Sequence, residues 1–439
     1  MHNLTLPFDK EKIERIEKSF PTPFYLYDEK GITNCVERIQ KAFSWNEGYR
    51  EYFAVKATPN PAIIKILHSL GCGIDCAGEA ELMIGQKLGI TGESIMFSSN
   101  DTSEKDYLFA NSLGAIINLD DCSHIDMLEQ IGCIPKTVCF RYNPGTDFIV
   151  QNDIMGELKN SKFGMTKAQL LESVKRMKAL GSEKFGIHAM LASCALNENY
   201  YPTLARELFS LALEVKRETG VEVSFINLSG GIGIPYRPEE SEVDIERIGE
   251  SVHKVYDELI AANGMKVSLF TEMGRYVTGP YGFLVTRVLH LKHTYKDYIG
   301  VNATACNLMR PAMYGAYHHI TLLGKEDEKC TKKYDVTGSL CENNDKFAVD
   351  RMLPEAEEGD ILVIHDAGAH GYSMGYNSAK YSRGCSSPSG CTHGLRFFLQ
   401  SIKPSLNSFP FFLTVQNSIE AGKSRPTLSG HPKLPFIFF

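Results

Sequence analysis

The sequence contains no run approaching the roughly 20 consecutive apolar residues that a membrane-spanning helix requires, so no membrane segment is expected. It also lacks any surplus of positive charge: 46 Lys and Arg stand against 53 Asp and Glu, giving a formal net charge of −7 and a pI near 6.0. Such a chain carries no electrostatic footprint for nucleic acid, and a small soluble substrate is favoured. The stretch from Met1 to Phe20 has acids throughout and no apolar core behind a basic start, which reads as neither signal nor transit peptide; the expected location is the cytoplasm. Paired metal-ligand motifs are missing too. Cys72/Cys76 and Cys385/Cys391 are near neighbours, but no CxxC is matched by a second pair or by HxxxH, so the twelve cysteines read as mostly reduced thiols and no metal is expected.

What is present is the composition of a soluble globular protein, 43% hydrophobic and 23% charged, in a chain of 439 residues that is too long for one ordinary domain. From about residue 50 to 280, eight short β-rich runs (YFAVKA, CGIDCA, IMFSS, AIINLD, VCFRYN, FGIHAML, INLSGG and LFTEMG) alternate with segments of three- and four-residue apolar spacing. Eight βα units in series predict an α/β fold built on a TIM barrel, with its site at the C-terminal ends of the strands. After residue 282 the pattern becomes strands without long helices, which predicts a second, all-β domain of sandwich or barrel type. The early FYLYD run could add a strand to it. The predicted organisation is therefore residues 1–36 contributing to the β domain, 37–282 as the barrel, 283–377 as the β domain, and 378–439 as a tail rich in Ser, Pro, Gly and Phe that is expected to be disordered.

Four places carry chemistry. Lys56 ends an apolar strand; desolvation there would lower its pKa and make it a nucleophile toward an aldehyde or carbonyl, although a strand-end lysine can also simply reach solvent. Ser229-Gly230-Gly231-Ile232-Gly233 follows the seventh strand, where barrels often hold a phosphate on backbone N–H groups; three glycines can equally make only a tight turn. Glu272-Met273-Gly274-Arg275 closes the eighth strand with a carboxylate able to keep a pyridine nitrogen protonated, or merely to pair with the arginine. His188, at the end of the sixth strand, could stack on a flat cofactor or be an ordinary core histidine.

One ligand that is aldehyde, phosphate ester and protonated ring at once answers these demands, namely pyridoxal 5'-phosphate. From about Thr22 to Asn377 the chain resembles the barrel-type (fold type III) pyridoxal-phosphate decarboxylases, and among them the diaminopimelate decarboxylases, through TPFYLYD, FAVKA, RYNP, SKFG, GIHA, SGGIGIPY, EMGR, RPAMYGAYHHI, GSLCENNDKFAVDR and HDAGAHGYSMGYN. The resemblance implies that Lys56 carries the cofactor and that His188 lies against its ring. It implies further that Gly230, Gly231, Gly233, Gly274 and Arg275 meet the phosphate and that Glu272 meets the ring nitrogen. It assigns substrate to Arg275, Arg310, Tyr314 and Glu342, and the catalytic acid to Cys341, with Cys341 and Glu342 offered to the barrel of a second copy in a homodimer. The activity it implies is decarboxylation of meso-2,6-diaminopimelate to L-lysine and CO2. The alternatives are the same chemistry on another basic amino acid or a carboxylated polyamine, or an impaired relative. Two departures stand out: His370 occupies a place where the family commonly has Tyr, and nothing beyond Asn377 resembles the family, so the last β-domain strand is expected to be missing and to leave a sheet edge unpaired.

Overall fold

The computed structural model describes residues 4–145 and 158–376 and, for the backbone alone, 436–438. Most of the tail expected to be disordered therefore lies outside the described residues. The chain divides into two compact units, Gly31–Pro235 with Ser241–Val277, and Met1–Lys30 with Tyr236–Glu240 and Thr278–Phe439. The barrel unit begins six residues earlier than the sequence pattern suggested, for a local reason. The helix Glu29–Ala42 ties itself to the barrel unit through Cys35 Sγ to Tyr276 O, Arg38 to Glu242, Gln40 to Leu70 O and Lys41 to Glu246. The segment Tyr236–Glu240, assigned to the barrel from sequence, instead packs with the β unit, where its Tyr236 ring lies 5.1 Å from that of His318.

The chain opens with a strand, β1 (Phe24–Tyr27), and then builds the barrel from β2 (Arg50–Ala54), β3 (Gly73–Cys76), β4 (Ile95–Ser98), β5 (Ile116–Leu119), β6 (Thr137–Arg141), β7 (Lys184–His188), β8 (Phe225–Asn227) and β9 (Ser268–Thr271). These eight close into a parallel barrel, each strand overlapping one of the eight runs picked out by sequence. β3, β5 and β8 are buried along their whole length and the other five at all but one or two positions, as expected of parallel strands covered by helices. Tyr52, Met96, Ile116, Cys139, Phe225 and Phe270, from six different strands, pack together inside, with the Phe225 and Phe270 rings stacked 4.8 Å apart. A Cβ on Gly186 would stand 2.0 Å from the Phe225 ring, so β7 can pass this filling only as glycine. Helix starts are set by local chemistry: Thr166 and Gln169 form a reciprocal capping box, and Asn60 accepts the Ala62 N–H ahead of Pro61. With the strands parallel, their C-terminal ends gather Lys56, His188, Asn227 and Glu272 at one mouth.

The other unit is a mixed sheet organised on one long strand, β10 (Gly282–His293). Its first half pairs antiparallel with β1 and with β15 (Ile361–Ile364), and its second half, past an irregularity at Val288/His290, pairs with β11 (Asp297–Val301). β12 (Ile320–Leu322) extends the first half through β15, while β13 (Lys332–Thr337) and β14 (Lys346–Leu353) extend the second. Phe24, Leu26, Phe283, Val285, Ile361 and Val363 form its core together with Ile13. β14 was not read as a strand from sequence, because its burial breaks the simple alternation. The expected unpaired edge is also corrected. The backbone of β16 (Phe436–Phe438) pairs in parallel with Tyr25–Tyr27, so the outer N–H and C=O groups of β1 find partners. Among the described residues no helix is long and apolar enough to cross a membrane, and the ten described cysteines are all free.

Candidate active site at the barrel mouth

Lys56 sits in a single 3-10 turn, Val55–Ala57, that continues β2, so its side chain leaves the strand end and is half exposed at the mouth. Its Nζ lies 3.4 Å from Asp75 Oδ2, on the neighbouring β3. This contact reverses the expectation of a depressed amine. The Asp75 carboxylate, outweighing burial and helped by Glu272 and Glu81, holds Lys56 above the ordinary lysine value, so the resting side chain is an ammonium. Asp75 itself is fully buried, and Oδ1 has no hydrogen-bond partner among the described residues. Burial and the like charge of Glu272 push Asp75 above the usual carboxylate range, and Lys56 recovers only part of that cost.

Glu272 follows β9 and is 6% exposed, yet it is held below the ordinary glutamate value. Burial opposes ionisation; His188, Lys56 and the Ser229 hydroxyl outweigh it. Asn227 Nδ2 donates to Oε1 at 2.7 Å and Ser229 Oγ donates to Oε2 at 2.9 Å. His188 Nε2 lies 3.3 Å from Oε2, but burial drives that imidazole below its usual pKa. Burial favours the neutral ring, the Glu272 carboxylate favours the imidazolium, and burial is the larger of the two. We therefore assign the retention of charge on Glu272 chiefly to the Lys56 ammonium and the two polar donors.

The glycine turn after β8 is a close approach of backbone to backbone. A Cβ on Gly230 would stand 2.6 Å from Glu272 O, and one on Gly231, at φ +105, would stand 2.8 Å from Ala192 O. The Gly230 and Gly231 N–H groups donate to nothing among the described residues, whereas Gly233 N–H is already bound to Ala195 O at 2.8 Å. This narrows the expected phosphate cradle to its first two glycines. Gly274 packs against Ala57 and Ala54, which brings the segment bearing Arg275 close to the turn bearing Lys56.

Several residues of this site escaped the sequence reading. Glu51, 2% exposed on β2, brackets Glu272 on both sides: it accepts the Thr271 hydroxyl and, at 2.6 Å, the Met273 N–H, and burial pushes its carboxyl up to about 8. Asp120 bonds Arg141 at 3.1 Å and accepts the Gly164 N–H at 3.3 Å, while the Arg141 guanidinium lies 4.2 Å from the Phe163 ring centroid. The available signal was an acid within or ending an otherwise apolar strand, in REYFA, CGIDC and AIINLD.

The remaining expected residues belong to the β unit. Arg310 and Tyr314 lie on one helical turn, Arg310–Tyr314. The Arg310 guanidinium is fixed by His318 Nε2 at 2.9 Å and lies 4.5 Å from the centroid of the Tyr236 ring. His318, fully buried, uses its Nδ1 toward His365 O at 2.8 Å, which leaves Nε2 as the acceptor for the arginine. Cys341 and Glu342 are exposed on a loop organised by the buried Asp345, whose carboxylate accepts the Ala305 N–H at 2.6 Å and the Leu340 N–H at 2.8 Å. His370 is half-buried in left-handed backbone at φ 56.

Residues 29–279 match the family model of the pyridoxal-dependent decarboxylase pyridoxal-binding domain. The chain belongs to this family. Its curated relatives include the protein TabA of Pseudomonas amygdali pv. tabaci, 39% identical over 83% of this chain and 85% of the relative. The diaminopimelate decarboxylase of Methanothermobacter thermautotrophicus is 35% identical over 82% and 85% respectively. The solved structure of diaminopimelate decarboxylase from Methanocaldococcus jannaschii in complex with L-lysine superposes with a TM-score of 0.74 at 28% identity, covering 83% of this chain and 86% of that one. The protein is thus a pyridoxal-phosphate-dependent carboxy-lyase of the diaminopimelate-decarboxylase type. Its barrel mouth fits the cofactor: it offers an amine at Lys56, a buried ionised carboxylate at Glu272, two undonated glycine N–H groups, and a buried His188 Nδ1 without a partner among the described residues.

Proposed function

We propose that this decarboxylase converts meso-2,6-diaminopimelate to L-lysine and CO2, the last step of lysine biosynthesis. The observation that carries the substrate assignment is Arg310, a guanidinium pinned by His318 and Tyr236 in a fixed orientation. A planar fork of this kind suits a carboxylate, and diaminopimelate has a second carboxylate at its distal end where ornithine and arginine have none. Tyr314 and Arg275 would complete that end, with Glu342 facing the distal amine.

When bound, pyridoxal phosphate supplies the carbonyl carbon that takes up the substrate amine and the ring that accepts the electron pair left as CO2 departs. Lys56 would hold it through Nζ and give up that place to the substrate amine. Glu272 would keep a proton on the ring nitrogen, His188 would lie against the ring, and Gly230, Gly231, Gly274 and Arg275 would bind the phosphate. Cys341 would return a proton to the substrate α-carbon. Cys341 and Glu342 would come from the second copy of a homodimer, as the family likeness implies, and His370 would contact the cofactor in place of a tyrosine.

The likeness to TabA, higher than that to the decarboxylase reported with it, does not itself name a substrate, and the second reading is the same chemistry on another basic amino acid. Measuring CO2 release by purified protein from diaminopimelate, ornithine, arginine and lysine separates the two. Release from diaminopimelate alone, with lysine formed in equal amount, is expected; release from ornithine or arginine instead would overturn the assignment.

A further inference from the structure

The β unit contains a recess of about 430 Å3 lined by Arg237, Tyr317, Lys346 and Arg351 and, along one side, by Pro311 and Gly315. The Arg237 guanidinium lies 4.8 Å from the Tyr317 ring centroid, and that of Arg351 lies 4.0 Å from the same centroid. Two cations against one ring repel each other, and the ring quadrupole offsets only part of that cost. Among the described residues neither arginine is in an ion pair. Arg351 has only the His318 carbonyl, at 2.9 Å from Nη1, while Lys346 on the same wall is already neutralised by Asp335 at 3.1 Å. Glu239 and Asp366 act on Tyr317 from farther off, without reaching ion-pair distance of either guanidinium. Burial weakens the hold of Arg351 on its charge, Tyr317 offsets part of this and Arg237 adds to it, yet an arginine cannot escape by losing its proton. What relieves such a pair is an anion that both forks can grip.

We propose that Arg237 and Arg351, held against Tyr317, form a binding site for a carboxylate or phosphate oxyanion. Because Pro311 and Gly315 line the same recess, the bound anion touches the turn that carries Arg310 and Tyr314. The consequence for catalysis rests on the substrate reading given above; the site itself does not. Two sources share this chemistry, a carboxylate of the substrate and a free oxyanion acting on the turn.

The test uses cofactor-loaded enzyme titrated with sodium phosphate in a calorimeter, with ionic strength held constant by sodium chloride. Saturable binding is expected, weakened about tenfold or more in Arg237→Gln and partly recovered in Arg237→Lys. Arg237 is exposed, so these variants should fold; Arg351→Gln, checked for a native circular dichroism spectrum, should weaken binding in the same way. Absence of saturable binding in the wild type, or equal affinity in Arg237→Gln, overturns the site. Kinetics then distinguish the sources. If the anion is the substrate's own, Arg237→Gln raises KM about tenfold without added phosphate, and phosphate competes with substrate. If it is free, KM changes only when phosphate is present, and only in the wild type. Failure of the diaminopimelate assay would remove the substrate reading while leaving the phosphate titration to stand or fall by itself.

Discussion

Lys56 and Asp75 meet across adjacent barrel strands at 3.4 Å, and the carboxylate, not the apolar strand, decides the charge on the amine. The arrangement stores the nucleophile as an ammonium beside a buried carboxylate, which can accept its proton when Lys56 must react.

Lys56→Ala should abolish turnover and remove the near-visible absorbance that borohydride bleaches, because among the described residues no other lysine directly follows the C-terminal end of a barrel strand. A variant that decarboxylates at near-normal rate would remove Lys56 from the mechanism.

Glu272→Gln should keep the cofactor bound while lowering turnover on the order of 10²-fold or more. The amide can still meet Asn227 or Ser229 but cannot carry the negative charge that a ring proton needs. Unchanged turnover, with cofactor content measured spectroscopically, would make Glu272 a structural residue only.

Glu51 should make the barrel less stable as pH rises. Its carboxyl moves from 4.5 to about 8 on burial. The folded state therefore holds a proton that the unfolded chain releases, and the associated stability is full below about 4.5 and lost as pH climbs through about 8. Glu51→Gln, neutral at every pH, should flatten this dependence, with a difference on the order of a few kcal/mol accumulating between the two limits. Parallel melting-temperature profiles for the two proteins across that window would exclude the buried-acid account.

Mixing Lys56→Ala with Cys341→Ala should restore activity if the site is shared across a two-fold dimer. Random reassortment makes half the dimers mixed, each with one intact site and one doubly impaired, for about a quarter of wild-type activity. No recovery after subunit exchange has been verified by mass would show that each chain completes its own site.

The sequence by itself determined the barrel, because eight buried parallel strands separated by amphipathic helices leave a local, periodic record that short windows of chain can report. It also marked Lys56, His188, the glycine turn and Glu272, since each sits where a polar or flexible residue interrupts an apolar strand end. The boundary at Gly31, the strand β14, the pairing of β16 with β1 and the loss of Gly233 as a free donor left no such record; each depends on which distant backbone groups are already satisfied. The charge states were equally hidden. Glu51 bonds Thr271 across 220 positions of sequence, and Lys56 finds Asp75 only because β2 and β3 lie side by side. Local periodicity fixes which residues reach the mouth, but a proton's place depends on the burial and charge of every group around it, and only the closed barrel brings those groups together.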